Sequence, residues 1–381
     1  MTVSHLARYL MLLKQFFRKA TVIQFLIAGL LGLAWISRHK LQEGHPYSGT
    51  VAHCNVPCGT VALDSSPLPS SPPTPKSYPY TILTASSANH LCALENYLYA
   101  LNQLRTELDS AEFPRIVVYN IGMNRTQLPV LNQLRDNGLV DDLVFFDYLK
   151  YPRFWDVAVN RGEYAWKTGI VREAQLRYGG VLIWMDAGNV VTSDFLRHIP
   201  SIVRQKGFWS PRSSYRMGRW THRGMYDYFG ANPKDYAEKI NCNGAAIGFD
   251  ADNQTVVDTM ILPWYECGLK KDCIAPPGSS RRNHRQDQAV LTYLAYHNGY
   301  SCHTAPRQFH KLQTHRDSSC AANLMALDLE KKLYHPSSIG KIEIDLPKWE
   351  GSDTSKLHEH PEWRYPEDQI PEQLTQRTEP I

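Results

Sequence analysis

The sequence has no strong charge of either sign. Its 381 residues carry 41 Lys and Arg against 37 Asp and Glu, a formal net charge of +4 with both signs dispersed. Nucleic-acid binding needs a dense basic face, so this balance argues against it. There is no Walker loop, no RNA-binding signature and no paired short spacing of a zinc site. No G-x-G-x-x-G follows the first strand-like run, which argues against a dehydrogenase or a methyltransferase of the dinucleotide-binding type. No internal repeat is visible, and no pair of carboxylates announces the facing acids of a glycoside hydrolase. What remains, 43% apolar and 20% charged residues, is the ordinary balance of a globular enzyme.

One long uncharged apolar run is present, residues 20–37, ATVIQFLIAGLLGLAWIS. As a helix it reaches ~27 Å, close to a thin bilayer core. Lys14, Arg18 and Lys19 precede it, and the basic excess lies on that side. The positive-inside rule then keeps residues 1–19 cytosolic and translocates the rest, a type II signal anchor. A cleaved signal peptide is the alternative; the apolar core is longer than a usual h-region and no clean small-x-small site ends it. A lumenal chain, in the Golgi or ER membrane, is the expectation. The triplets Asn124-Arg125-Thr126 and Asn253-Gln254-Thr255 agree weakly with that side.

Eight cysteines permit disulfides in that compartment. Cys54 with Cys58 and Cys267 with Cys273 are the local candidates; buried free thiols are the other reading. Residues 38–79 form a Pro- and Ser-rich stem that cannot bury enough apolar surface to offset its ordering entropy. Regular pattern begins at Tyr80. Strand-like runs at 80–86, 115–120, 143–146 and 181–185 alternate with helical spacing at 91–108, 128–137 and 166–178, the last expected to be amphipathic. A strand at 245–249 and helices at 254–267 and 287–296 come next. The alternation predicts an α/β fold with a mostly parallel sheet over residues 80–327, and residues 328–381 read as a partly disordered extension.

The stretch at 178–191, YGGVLIWMDAGNVV, carries most of the chemistry. A helix ends in two glycines, a continuous apolar strand comes after it, and Asp186 stands at the carboxyl end of that strand, where open α/β sheets bind ligands. A carboxylate there can hold a divalent cation on a diphosphate or accept from a ribose hydroxyl. A turn-capping Asp is the plainer reading. Gly188 permits close approach of backbone to a ligand.

Strand-Asp-x-small after a helix ending in Gly-Gly resembles the nucleotide-sugar site of GT-A fold glycosyltransferases. The order and spacing of WK, GGVLxWxDAG, CxxxxxC-I-x-P-x-G-S and HRxDQA resemble a GT-A-like nucleotide-diphospho-sugar transferase family over roughly residues 80–320. That family usually has Asp-x-Asp here. This chain has Asp186-Ala187-Gly188, so the second carboxylate is missing and dependence on Mn2+ or Mg2+ is in doubt. Asn189 is the substitute oxygen ligand, paired with Asp186. The resemblance implies a nucleotide-sugar donor, a glycan or glycoprotein acceptor, Lys167 near the diphosphate, the 241–249 strand on the acceptor side, and Asn243 among the residues that bind the nucleotide-sugar. It places Asp287 and Gln288 near the donor sugar. The helix dipole should keep Asp287 ionised, which makes it the candidate general base. Arg281, Arg282 and Arg285 could reach phosphate, a solvated loop being the plainer reading. His303 and His310 are candidate metal ligands. Trp155, Trp184, Trp209, Trp220 and Tyr215 are candidate sugar-stacking faces, Trp184 more simply a core residue.

The leading expectation is glycosyl transfer from a nucleotide-sugar. The missing carboxylate supports an alternative, a catalytically silent GT-A-like type II membrane protein that binds glycans or partners.

Overall fold

The parallel half of the sheet grows from four short runs rich in β-branched and aromatic residues: β1 (Thr81–Ser86), β2 (Arg115–Asn120), β3 (Asp142–Phe145) and β4 (Val181–Met185). The computed structural model describes residues 77–124 and 126–333. The expected cytosolic tail, the span at 20–37, nearly all of the stem and most of the C-terminal extension lie outside the described residues, as do Cys54 and Cys58. Among the described residues no helix is long and apolar enough to cross a membrane.

The six-stranded sheet has the order β3-β2-β1-β4-β8-β5, with β5 at Phe208–Trp209 and β8 at Ala246–Asp250. β1 to β4 are mutually parallel; β8 runs antiparallel to both β4 and β5. The mostly parallel α/β sheet expected from the sequence is therefore present, with one reversed strand. The chain lays down β1, β2 and β3 in one direction and then returns to the other side of β1 for β4. In open α/β sheets ligands bind at such a reversal, beyond the carboxyl ends of the strands, here β1 and β4.

β4 is buried at every position, without alternation, because helices cover both faces. Leu182 and Trp184 enter one core with Ile170 of α3 (Trp166–Tyr178), while Val181, Ile183 and Met185 enter the other with Leu94 of α1 (Leu91–Leu104) and Phe195 of α4 (Ser193–Lys206). Between α1 and α3 lies α2 (Leu128–Asp136), packed behind β3. α3 is not amphipathic along its whole length. Residues Trp166 to Val171 are all buried, since this half is wedged between the sheet and the end of α5. α5 runs through three stretches, Gln254–Val256, a π-helical turn Val257–Ile261 and Leu262–Gly268. Gly179 (φ 58°) and Gly180 (φ 68°) then supply the left-handed backbone that turns α3 into β4.

The last elements lock the carboxyl end of the sheet. β6 (Arg212–Arg216) and β7 (Ile240–Cys242) form a separate two-stranded ribbon; α6 (Gln286–His297) and α7 (Cys320–Leu329) come after it. The local pair Cys267–Cys273 is closed as expected. Two further disulfides, Cys92–Cys320 and Cys242–Cys302, join segments far apart in the chain, which spacing alone does not reveal. The first staples α7 to the start of α1.

Candidate functional site

Period-2 geometry decides where Asp186 points. Extending β4 by one residue puts Asp186 on the face of Leu182 and Trp184, the face covered by α3. Lys167 sits in the first turn of α3 and is only 3% exposed. Its ammonium lies 3.3 Å from Asp186 Oδ1 and 2.9 Å from Asp287 Oδ2, and donates to Gly244 O at 2.9 Å. Trp184 Nε1 donates to the same Asp186 Oδ1 at 2.7 Å. One oxygen of Asp186 is thus held from two sides. Its side chain is one-third exposed, at 33%, whereas that of Asp287 is 8% exposed. Asp186 is the member of the triad that meets solvent.

Burial and charge act in opposition here. Burial pushes the Asp287 carboxyl above the usual carboxylate range; Lys167 pulls it back, and Asp186 pushes it further up. Burial alone would depress Lys167, but Asp186 and Asp287 outweigh it and hold the ammonium above its ordinary value. A single cation between two carboxylates leaves the cluster with a net negative charge when all three are ionised.

The segment Asn243-Gly244-Ala245, between β7 and β8, is the hub. Asn243 Oδ1 accepts from Ala245 N at 2.9 Å, an Asx turn that shapes the loop. Ala245 O accepts from Asp186 N at 2.9 Å and from Asn189 Nδ2 at 2.6 Å. Gly244 N donates to Gln288 Oε1 at 3.3 Å. A Cβ on Gly244 would stand 3.2 Å from Gln288 Cβ and 3.3 Å from Asp287 Oδ2, so glycine lets the loop close over α6.

Several sequence expectations need correction. Lys167 does not face a diphosphate: its three protons are taken by Gly244, Asp186 and Asp287. Asp287 is not an open general base, because the whole residue is 6% exposed behind this loop, and the helix dipole does not offset its desolvation. Asn189 is 1% exposed; its amide nitrogen ties the turn to the loop, while its Oδ1 is buried and has no hydrogen-bond partner among the described residues. Gly188 does make room for a close approach, but the neighbour is protein. A Cβ there would lie 2.3–2.5 Å from the carboxylate of Asp317, and Arg316 N donates to Gly188 O at 2.7 Å. Asn243 is buried as a turn former, and Gln288 braces Gly244. His303 packs on Phe309 and His310 stacks on His198 at 4.3 Å; neither shares a contact with Asp186. Trp155, Trp184 and Trp209 are core, while Tyr215 is 55% exposed.

Asp317 is the residue sequence reasoning missed. It lies far beyond Gly188 in the chain and carries no motif, so only the fold reveals it. Among the described residues no three His, Cys, Asp or Glu side chains gather as a ready metal cage. The donor set nevertheless fits a hard divalent cation of the Mn2+ or Mg2+ kind, which is commonly held by one or two carboxylates with substrate phosphates completing its shell. Asp186 would hold it, and Asp317 is the second carboxylate that the fold brings to the same turn.

No family model matches the sequence, and no curated protein matches it. Solved structures of similar fold include the bifunctional glycosyltransferase WbbM, at 11% identity and TM-score 0.42, covering 72% of this chain and 53% of that one. A mannosyltransferase from Pyrobaculum calidifontis, solved with GDP-Man and Mn2+, is 12% identical over 64% of this chain and 59% of its own, with TM-score 0.34. Mouse xyloside xylosyltransferase 1 is 13% identical over 60% of this chain and 85% of its own, with TM-score 0.36. This chain spans about half the length of WbbM. The similarity concerns the fold of these glycosyltransferases.

Proposed function

We propose that this protein transfers a sugar from a nucleoside-diphosphate sugar to a glycan or glycoprotein hydroxyl, anchored by residues 20–37 in the Golgi or ER membrane with residues 80–327 in the lumen. The observation that carries the reading is the state of Asp186. It stands at the carboxyl end of β4, beside the strand-order reversal, with one oxygen fixed by Trp184 and Lys167 and the other without a protein partner among the described residues. A carboxylate so fixed is pre-oriented and has one face left for a ligand.

Each residue then has a stated part. Asp186 Oδ2 accepts from a ribose or sugar hydroxyl, or holds a cation that offsets diphosphate charge. Lys167 keeps Asp186 aimed. Asp287 is a positioning residue acting through Lys167, not a group that meets the acceptor. With Asp287 enclosed, the departing diphosphate is the available acceptor for the proton of the attacking hydroxyl.

The purified protein is expected to release nucleoside diphosphate from at least one of a panel of UDP- and GDP-sugars, tested with and without Mn2+. Asp186→Ala should abolish that release. Turnover unchanged in Asp186→Ala would refute the site; no turnover and no binding of any nucleotide would favour the silent binding protein.

A further inference from the structure

Beside the triad lies a group of arginines that no carboxylate neutralises. Arg161, Arg219, Arg281, Arg282 and Arg285 form no ion pair among the described residues, although other surface arginines such as Arg216 and Arg223 do. Three of them are instead laid on aromatic rings. The Arg285 guanidinium stands 4.1 Å from the centroid of Trp220 and that of Arg219 5.0 Å from the same ring. Arg219 also lies 4.0 Å from the centroid of Tyr215. Arg281 sits 5.3 Å from the ring of Tyr164 and donates to its hydroxyl.

The group is joined to the triad through the backbone and through Tyr164. Arg285 directly precedes α6, whose second residue is Asp287, and its own N–H donates to Trp220 O at 3.0 Å. Gln286 Nε2 donates to Glu163 at 3.2 Å, next to Tyr164. Burial raises the Tyr164 phenol, Arg281 and Arg161 pull it back, and Asp287 and Lys167 also act on it. Arg285 is held below its ordinary value, first by burial and then by Arg281, with Arg219 adding to this. These guanidiniums therefore share one field.

The backbone beneath them is unusual. Asn160, Arg161, Glu163, Tyr164, Tyr215 and Gln286 all have φ between 34° and 62°, six of the ten such non-glycine residues among those described. Such positions persist only where the surrounding structure over-determines them, and they cluster at functional sites. Contact with the rings orients the guanidiniums and leaves N–H groups for an anion, all of them on Arg219 and Arg285 and those other than the Tyr164 donor on Arg281.

We propose that Arg219, Arg281 and Arg285, backed by Trp220, Tyr215 and Tyr164, bind an oxyanion carried by a substrate of this site. The inference rests on the nucleotide-sugar reading for its setting. Two sources share the chemistry: the diphosphate of the donor, and a sulfate, phosphate or carboxylate on an acidic acceptor glycan.

The test uses the full chain and titration calorimetry, with UDP and GDP as one arm and a sulfated oligosaccharide beside its unsulfated counterpart as the other. The variants are Arg219→Gln/Arg281→Gln, both on exposed side chains, and the charge-conserving Arg285→Lys; circular dichroism checks their fold. Affinity for one arm should fall about tenfold or more in the double variant, the scale of a lost charge-assisted contact. Arg285→Lys should weaken the same arm less, and added salt should weaken wild-type binding. A loss confined to UDP or GDP assigns the donor diphosphate; a loss confined to the sulfated probe assigns the acceptor. Wild-type affinity in the folded double variant, or no binding of any probe by the wild type, overturns the proposal. Nucleotide-sugar turnover separates the two readings. Turnover that needs Asp186, together with wild-type affinity for both arms in the double variant, sinks this inference alone. Arginine-dependent binding without turnover of any nucleotide-sugar sinks the transferase reading alone.

Discussion

Lys167 is the side chain whose loss should reach furthest. Lys167→Met leaves two carboxylates facing each other with Asp287 enclosed, and breaking a buried ion pair in this way costs about 3–5 kcal/mol. Chemical denaturation would measure it; a loss below about 1 kcal/mol would mean that the triad is not a buried network. The acid side of the pH dependence comes from Asp287. Its folded pKa is raised above the unfolded value, so the folded state binds the proton more tightly. As far as this group goes, stability is greatest below the unfolded pKa and falls as pH rises through the folded one. Lys167 acts in a window at the opposite end of the pH scale: its contribution is complete below its unfolded pKa and is lost only as pH rises through its still higher folded value. Removing Lys167 takes away the charge that pulls Asp287 down, so its carboxyl should titrate higher still, read by NMR titration of the carboxyl carbon. Two glycines make a further pair. Gly169→Ala would drive a Cβ to 2.4 Å from the enclosed Trp155 ring and should cost about 1–3 kcal/mol. The nearest atoms to the new Cβ of Gly188→Ala belong to the carboxylate of Asp317, which can rotate, so its cost should stay below about 1 kcal/mol by chemical denaturation.

At the scale of elements, the turn after β4 is held by the segment between α6 and α7. Thr192 Oγ1 accepts from Phe195 N at 3.2 Å, capping α4, and donates to His310 O at 2.9 Å. Val190 and Gln313 form an isolated antiparallel bridge that continues this strap to Arg316 and Asp317. Thr192→Ala should therefore cost about 1–2 kcal/mol, the upper part of the capping range, because two bonds are lost. The Cys92–Cys320 disulfide anchors the far end of the strap to α1 across 228 residues of chain. Cys92→Ser/Cys320→Ser should lower stability by about 2–5 kcal/mol. It should also loosen Arg316 and Asp317 first, seen as faster amide exchange there than in β1.

Across the whole molecule, the parts legible in the sequence are those governed by short-range rules. The uniform apolar run of β4, the Gly179-Gly180 stop and the helix beginning near Asp287 are local signals, and each is found where expected. α4 is not among the expected helices even though Phe195, Leu196, Ile199 and Val203 repeat at helical spacing. Its Pro200 and charged residues mask the stripe. The partners of Asp186 are legible as residues but not as a cluster. Trp184 lies two residues back on the same strand, but Lys167, and through it Gly244 and Asp287, come from separate segments that only the fold makes neighbours. Asp317 and the two long-range disulfides carry no local signal at all. On the proposed function the burden rests on Asp186, the partly exposed end of a buried charge network at the strand-order reversal. Calorimetric titration of a hydrolysis-competent nucleoside-diphosphate sugar into wild type and Asp186→Asn tests this most directly. The isosteric amide should weaken binding about tenfold or more with little change in melting temperature. Equal affinity in the two proteins would contradict it.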